Sequence, residues 1–157
     1  MSTPLFLVCE DGDEYIQRFE RFLGREFRFL RVGSGAEAQA ALARETVTGL
    51  LLDLDFRRLP ALQLLGESGQ PTSSPTTEER ARFSAMQGIL ILQYLRHQGV
   101  KESALLFADL DDREQSAYLE KTLAPLTVVS SREGLAQLAA RLRRLAEMKI
   151  ETAKVPG

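Results

Sequence analysis

Gly49-Leu50-Leu51-Leu52-Asp53-Leu54-Asp55 is the stretch whose reading decides the fold. Its apolar run is short, lacks a polar face and stops abruptly at a carboxylate. That is the pattern of a strand covered on both faces, with its carboxyl end emerging at a polar site. The shape recurs upstream in Leu5–Cys9 (LFLVC), which runs into Glu10, Asp11 and Gly12, and downstream in residues 103–108 (SALLFA), which run into Asp109. Leu126–Val129 followed by Ser130 and Ser131 is a further strand, and residues 27–32 (FRFLRV) alternate like a half-buried edge strand.

Helical periodicity fills the spaces between these strands. Asp13 is a candidate cap for a helix carrying Ile16, Phe19, Phe22 and Leu23, and Gly24 offers a stop. Gly33-Ser34-Gly35 turns the chain into an alanine-rich helix over about 36–44. Residues 89–97 and about 113–123 read as helices. A closing helix over about 133–148 places Leu135, Leu138, Leu142 and Leu145 on one stripe. Short buried strands joined by helical crossovers require a parallel sheet wrapped on both faces. In such sheets, sites gather at the carboxyl ends of the strands where the order reverses. Glu10, Asp11 and Asp53 fall at that edge.

One segment breaks the rhythm, running from Arg57 to Ala85 with a Gly/Ser/Thr/Pro-rich middle that reads as an exposed loop. Thr76 and Glu79 have capping-box spacing, so a helix is expected to start there and run into Ile89. The chain of 157 residues therefore reads as one domain with an insertion at about 57–85 and a frayed tail at about 150–157.

Composition excludes several classes. Hydrophobic residues at 44% and charged residues at 27% describe a globular chain, and a net charge of −2 argues against nucleic acid or an anionic membrane as partner. No apolar run approaches the roughly 20 residues of a membrane span. The single cysteine rules out an intrachain disulfide. With no secretory leader ahead of the first strand, a reducing cytoplasm is the expected location.

These residues resemble the receiver domain of two-component response regulators, the CheY-like family. LFLVCED is similar to that family's first strand and acidic pair, at Glu10 and Asp11. GLLLDLD is similar to the third strand ending in the phosphoacceptor aspartate, at Asp53. Met86-Gln87-Gly88-Ile89-Leu90-Ile91-Leu92 resembles its Met-Asp-Gly-x-x-Leu-Leu stretch, where the third helix begins. The resemblance implies a doubly wound, five-stranded parallel α/β sandwich of flavodoxin/CheY type. It also implies Mg²⁺ held by Glu10, Asp11 and Asp53, since a small hard cation takes carboxylate oxygens. Asp55 rivals Asp53, because the two project to the same side of an extended chain. Glu10 and Asp11 have a plainer reading as polar residues that end a strand and cap the first helix.

The departures from the family's pattern bear on function. A Thr or Ser ends the fourth strand in active receivers and bonds the phosphoryl group, whereas Ala108 holds that place here. A Lys-Pro pair ends the fifth strand, whereas Ser130 and Ser131 stand here. Asp53 and Gly88 are 35 positions apart, much farther than in the family, which locates the insertion beside the site. Losing the lysine removes a charge-assisted bond worth about 1.5–3 kcal/mol, and losing the hydroxyl removes the link from added charge to moving strand. The expectation is a stand-alone pseudo-receiver, no enzyme, requiring no cofactor. It would bind a protein partner such as a histidine kinase, or a second copy of itself, without phosphorylation. A basic side chain entering from elsewhere, with Arg57, Arg58 and Lys101 as candidates, would repair the missing cation. The rival expectation is an atypical receiver phosphorylated on Asp53.

By the same resemblance, Tyr118, Leu119, Ser131, Arg141 and Arg144 mark the docking face. Leu59, Leu62, Leu64, Leu65 and Phe83 in the insertion are expected to cover the acidic edge or meet a partner. Arg141, Arg143 and Arg144 read as a basic cluster on a solvated face, and Asp109, Asp111 and Asp112 as solvated loop charges. Cys9 reads as core, and His97 has no second soft ligand beside it. A flavin-type binder is disfavoured by 7% aromatic content without Trp and by the lack of a phosphate-cradling loop. A DNA-binding role lacks a helix-turn-helix.

Overall fold

A computed structural model describes residues 3–154, with side chains through residue 151. Among these residues the strands are β1 (Leu5–Cys9), β2 (Arg28–Val32), β3 (Gly49–Asp53), β4 (Ser103–Phe107) and β5 (Leu126–Val129). They form one parallel sheet in the order β2-β1-β3-β4-β5. The helices are α1 (Glu14–Leu23), α2 (Gly35–Arg44), α3 (Thr77–Ala85), α4 (Gln87–His97), α5 (Arg113–Thr122) and α6 (Leu135–Lys154). The expected doubly wound α/β sandwich is present.

Alternation along the strands sorts the core into two layers. Leu5, Leu7, Cys9, Leu50, Leu52 and Leu106 pack with α2, α4 and α5 on one face. Phe6, Val8, Leu51, Leu105 and Phe107 pack with Phe19 and Leu23 of α1 and Leu138 and Leu142 of α6 on the other. Burial pushes the Cys9 thiol up to about 12, as expected of an inert core residue. At one end of the sheet Arg96 donates to the carbonyls of Val100, Glu102, Leu123 and Pro125, tying the turns before β4 and β5 together.

The insertion is folded. Phe56, Leu59, Leu64, Leu65 and Phe83 are buried and join the α2–α4 layer of the core. They neither cover the acidic edge nor await a partner, because the apolar groove beside α2 and α4 takes them in. Leu62 alone of the expected set stays out, 95% exposed. Two features pin the segment. Gln87 is fully buried; its Oε1 accepts from the Leu65 amide at 2.9 Å and its Nε2 donates to the Leu65 and Phe83 carbonyls, each at 3.1 Å. Gly69, at φ 74°, lies so close to α4 that a Cβ would come within 2.6 Å of the Leu90 carbonyl oxygen and the Tyr94 nitrogen.

Four boundaries differ from expectation. The Thr76–Glu79 capping box forms, but the helix it starts ends at Ala85. The chain turns at Met86 (φ −125°, ψ 21°) and α4 begins anew. That turn brings Gly88 against the end of β3, where its amide donates to the Leu54 carbonyl at 3.0 Å. α6 starts two residues late and takes in residues 150–154, because Ala, Glu, Met and Lys all favour helix. Residues 155–157 of the expected tail lie outside the described residues. Phe22 is 56% exposed, with Arg21 over its ring, since α1 buries only Phe19 and Leu23 fully. Finally, the Asp13 side chain makes no capping bond to α1 and accepts from the Gln17 amide group instead.

Candidate functional site

The strand order reverses between β1 and β3, and their carboxyl ends open a cleft of about 360 Å³. Asp11, Glu14, Tyr15, Asp53, Asp55, Arg57 and Arg58 line it. Parallel pairing brings the chain ends together: Cys9 faces Leu52, and Asp53 faces Phe107. Gly88 closes the floor, where a Cβ would collide with the Asp53 carbonyl oxygen.

Asp53 is the acid at the base of the cleft. It is half-buried, and its Oδ1 accepts from the Leu54 amide at 2.9 Å. Burial raises its carboxyl to about 6, with Glu10, Asp11 and Asp55 adding to the rise and the Leu54 amide opposing it. Asp55 belongs to the same cleft but is paired at 2.7 Å with Arg57 Nε.

Glu10 does not face the cleft. It is 1% exposed, and its carboxylate accepts from the amides of Tyr15 at 3.1 Å and Ile16 at 2.8 Å. It performs the capping that Asp13 does not, satisfying donors that a helix N-terminus leaves free. Burial raises its carboxyl, against the pull of those amides and of Arg31. Asp11 Oδ2 accepts from the Arg58 amide at 2.5 Å. The expected Mg²⁺ shell of Glu10, Asp11 and Asp53 is therefore not assembled. Among the described residues, no three acidic, His or Cys side chains are grouped to hold a metal ion.

On the far side of the cleft, Ala108 is buried at the end of β4 and its amide donates to the Val129 carbonyl. Ser130 Oγ donates to Asp109 Oδ1 at 2.9 Å, the Ser131 amide to the same oxygen at 3.2 Å, and the Ser131 hydroxyl to Oδ2. These bonds hold the Asp109 carboxyl below its usual range. The expected solvated loop charge is thus a clasp between the ends of β4 and β5.

Three contributors to the cleft carry no motif in the sequence. Tyr15 stacks on Phe107, with centroids 5.1 Å apart; burial, then the carboxylate of Asp53, lifts its hydroxyl to about 12. Glu14 meets Arg58 Nη2 at 3.2 Å. Arg57 and Arg58 do reach the cleft, as the repair condition requires, but they arrive on the loop after β3 and pair with Asp55 and Glu14. Lys101 lines a separate hollow with Thr48, Ser103 and Met148.

Solved structures align with this arrangement over almost the entire chain. The receiver domain of the Francisella response regulator 1452 matches at a TM-score of 0.66 and 16% identity, over 94% of this chain and 99% of that one. The receiver domain of a putative LuxO repressor protein from Vibrio parahaemolyticus matches at 0.69 and 13%, over 99% and 100%. This chain has the receiver-domain fold. The beryllofluoride-activated receiver domain of Klebsiella pneumoniae RstA is similar at 0.60 and 20%, over 88% and 95%. No protein-family model and no curated protein sequence matches the chain.

On the receiver fold the expected docking residues separate. Tyr118 is 65% exposed on α5, whereas Leu119 is buried because it faces the sheet. Ser131 is held by Asp109. Arg141 donates to Glu133 at 2.7 Å and Arg143 grips both carboxylate oxygens of Glu26, so the three arginines do not act as one basic cluster. Arg144 is exposed and lines a hollow with Arg141, Pro125 and Met148. His97 is exposed at the end of α4. Among the described residues, no helix is long and apolar enough to cross a membrane.

Proposed function

We propose that this chain is a receiver-type signalling module that works by binding partner proteins, without a shape change driven by phosphorylation. The observation that carries the reading is the pairing of Ala108 with the Asp109 clasp. A phosphoryl group on Asp53 would meet a methyl where a hydroxyl is needed to draw β4 inward. The serines at the end of β5 are already bonded to Asp109. Charge added at Asp53 then has no bistable element to bias. On this reading the chain is not an enzyme, needs no cofactor, and works in the cytoplasm. Its partners are proteins of a signalling pathway, a histidine kinase or a second copy, met through the exposed surface around Tyr118 and Arg144, and neither nucleic acid nor membrane is among them.

A second reading has its own support. Arg57 and Arg58 bring positive charge to the cleft that holds Asp53, so a phosphoryl group would not lack a cation. The missing hydroxyl, more than the missing lysine, therefore separates the two. Incubation with acetyl phosphate and Mg²⁺, read by intact mass and by size-exclusion profile, tests them. The proposal expects one elution profile with and without the donor. A mass gain that Asp53→Asn abolishes, accompanied by a change in association, would overturn it in favour of a phosphorylatable receiver.

A further inference from the structure

The acidic cleft contains its own cation. Arg58 reaches over β1's exit from the loop after β3, its amide bonded to Asp11 Oδ2 at 2.5 Å and its guanidinium paired with Glu14 Oε1 at 3.2 Å. The space for that pair is made by Gly12. A Cβ at Gly12 would overlap both Arg58 Nη1 and Glu14 Oε2, so the missing side chain forms the notch in which the pair rests. Two of the three carboxylates expected to hold Mg²⁺ are thereby committed: Asp11 to the Arg58 amide, and Glu10 to the N-terminus of α1. Arg57 neutralises Asp55 at the same mouth.

We propose that Arg58, seated in the Gly12 notch, is the resident counter-ion of this cleft and keeps divalent cations out of it. A guanidinium fixed at the mouth repels a dication entering the same space and satisfies part of the negative field that would attract one. The pair is solvent-exposed on both sides, so its role is electrostatic gating and not stability. The inference rests on the receiver reading only in taking this cleft as the counterpart of the phosphorylation pocket.

Mn²⁺ titration of the whole chain, followed by water-proton relaxation, is the test. Arg58→Ala removes the guanidinium and leaves the backbone bond to Asp11 in place. It is expected to bind Mn²⁺ about tenfold more tightly than the parent chain, and to lose that gain when combined with Asp53→Asn. Gly12→Ala expels the Arg58–Glu14 pair sterically without removing a charge, and meets only the ends of flexible side chains. It is expected to strengthen Mn²⁺ binding in the same direction. Equal affinity in the parent and Arg58→Ala would overturn the proposal, as would a gain that survives Asp53→Asn. No phosphoryl donor enters this titration, so its failure is distinct from any failure of the acetyl phosphate experiment.

Discussion

Asp53 shows how one residue's surroundings set its behaviour. The carboxyl ends a strand whose other members are wholly buried, and the fold leaves it half-dry beside Glu10, Asp11 and Asp55. With a native value of about 6 against an ordinary 3.8, the folded chain holds this proton more tightly than the unfolded chain does. The carboxyl's contribution to stability is then fully present below pH 3.8 and is lost as pH rises through about 6. Asp53→Asn keeps the Oδ1 acceptor for the Leu54 amide and removes the buried charge. Above pH 6 the variant is expected to be more stable by about 1–2 kcal/mol, discounted for the water that reaches the group. The gap should close below pH 4. Thermal unfolding from pH 4 to pH 8 checks this, and a variant less stable than the parent at pH 8 would contradict it. The position of Asp53 was legible from its place at the end of an apolar run. The fate of Glu10 was not, because both a metal ligand and a helix cap follow a strand in the same way, and only the direction of the side chain separates them.

Among the elements, the insertion is the most instructive. Its Gly/Ser/Thr/Pro-rich middle reads as loop, and residues 70–80 are indeed mostly exposed. Its apolar residues had no visible destination in the sequence, because burial against α2 and α4 depends on contacts far along the chain. Gln87 takes the place of the family motif's Asp, and here it is the residue that fastens the insertion. Gln87→Ala would leave the Leu65 amide and two buried carbonyls without partners, a loss of about 2–4 kcal/mol. Urea unfolding should register that loss, and limited proteolysis should show faster cutting between residues 66 and 76. Unchanged stability together with unchanged cutting would mean that the insertion is held by other contacts. The capping box at Thr76 was readable because it is local. The break at Met86 was not, since it answers to the approach of Gly88 to β3.

At the scale of the whole molecule, five buried strands and their crossovers fixed the topology, and the strand order placed the cleft where the acids gather. The cation balance of that cleft was less legible. Arg57 and Arg58 follow Asp55 by two and three positions, yet their partners Asp55, Glu14 and Asp11 become neighbours only once β1 and β3 pair. The sheet's far side carries the functional consequence. The end of β4 offers a methyl at Ala108, and the end of β5 is tied to Asp109. The account therefore predicts a rigid β4–β5 end. Amide resonances compared with and without beryllofluoride and Mg²⁺ test this most directly. The account predicts that Ala108, Asp109, Ser130, Ser131 and the amides of α5 keep their positions, with any shifts confined to the cleft around Asp53. Shifts that spread from Asp53 through residues 104–108 into α5 and β5, and that vanish in Asp53→Asn, would contradict it.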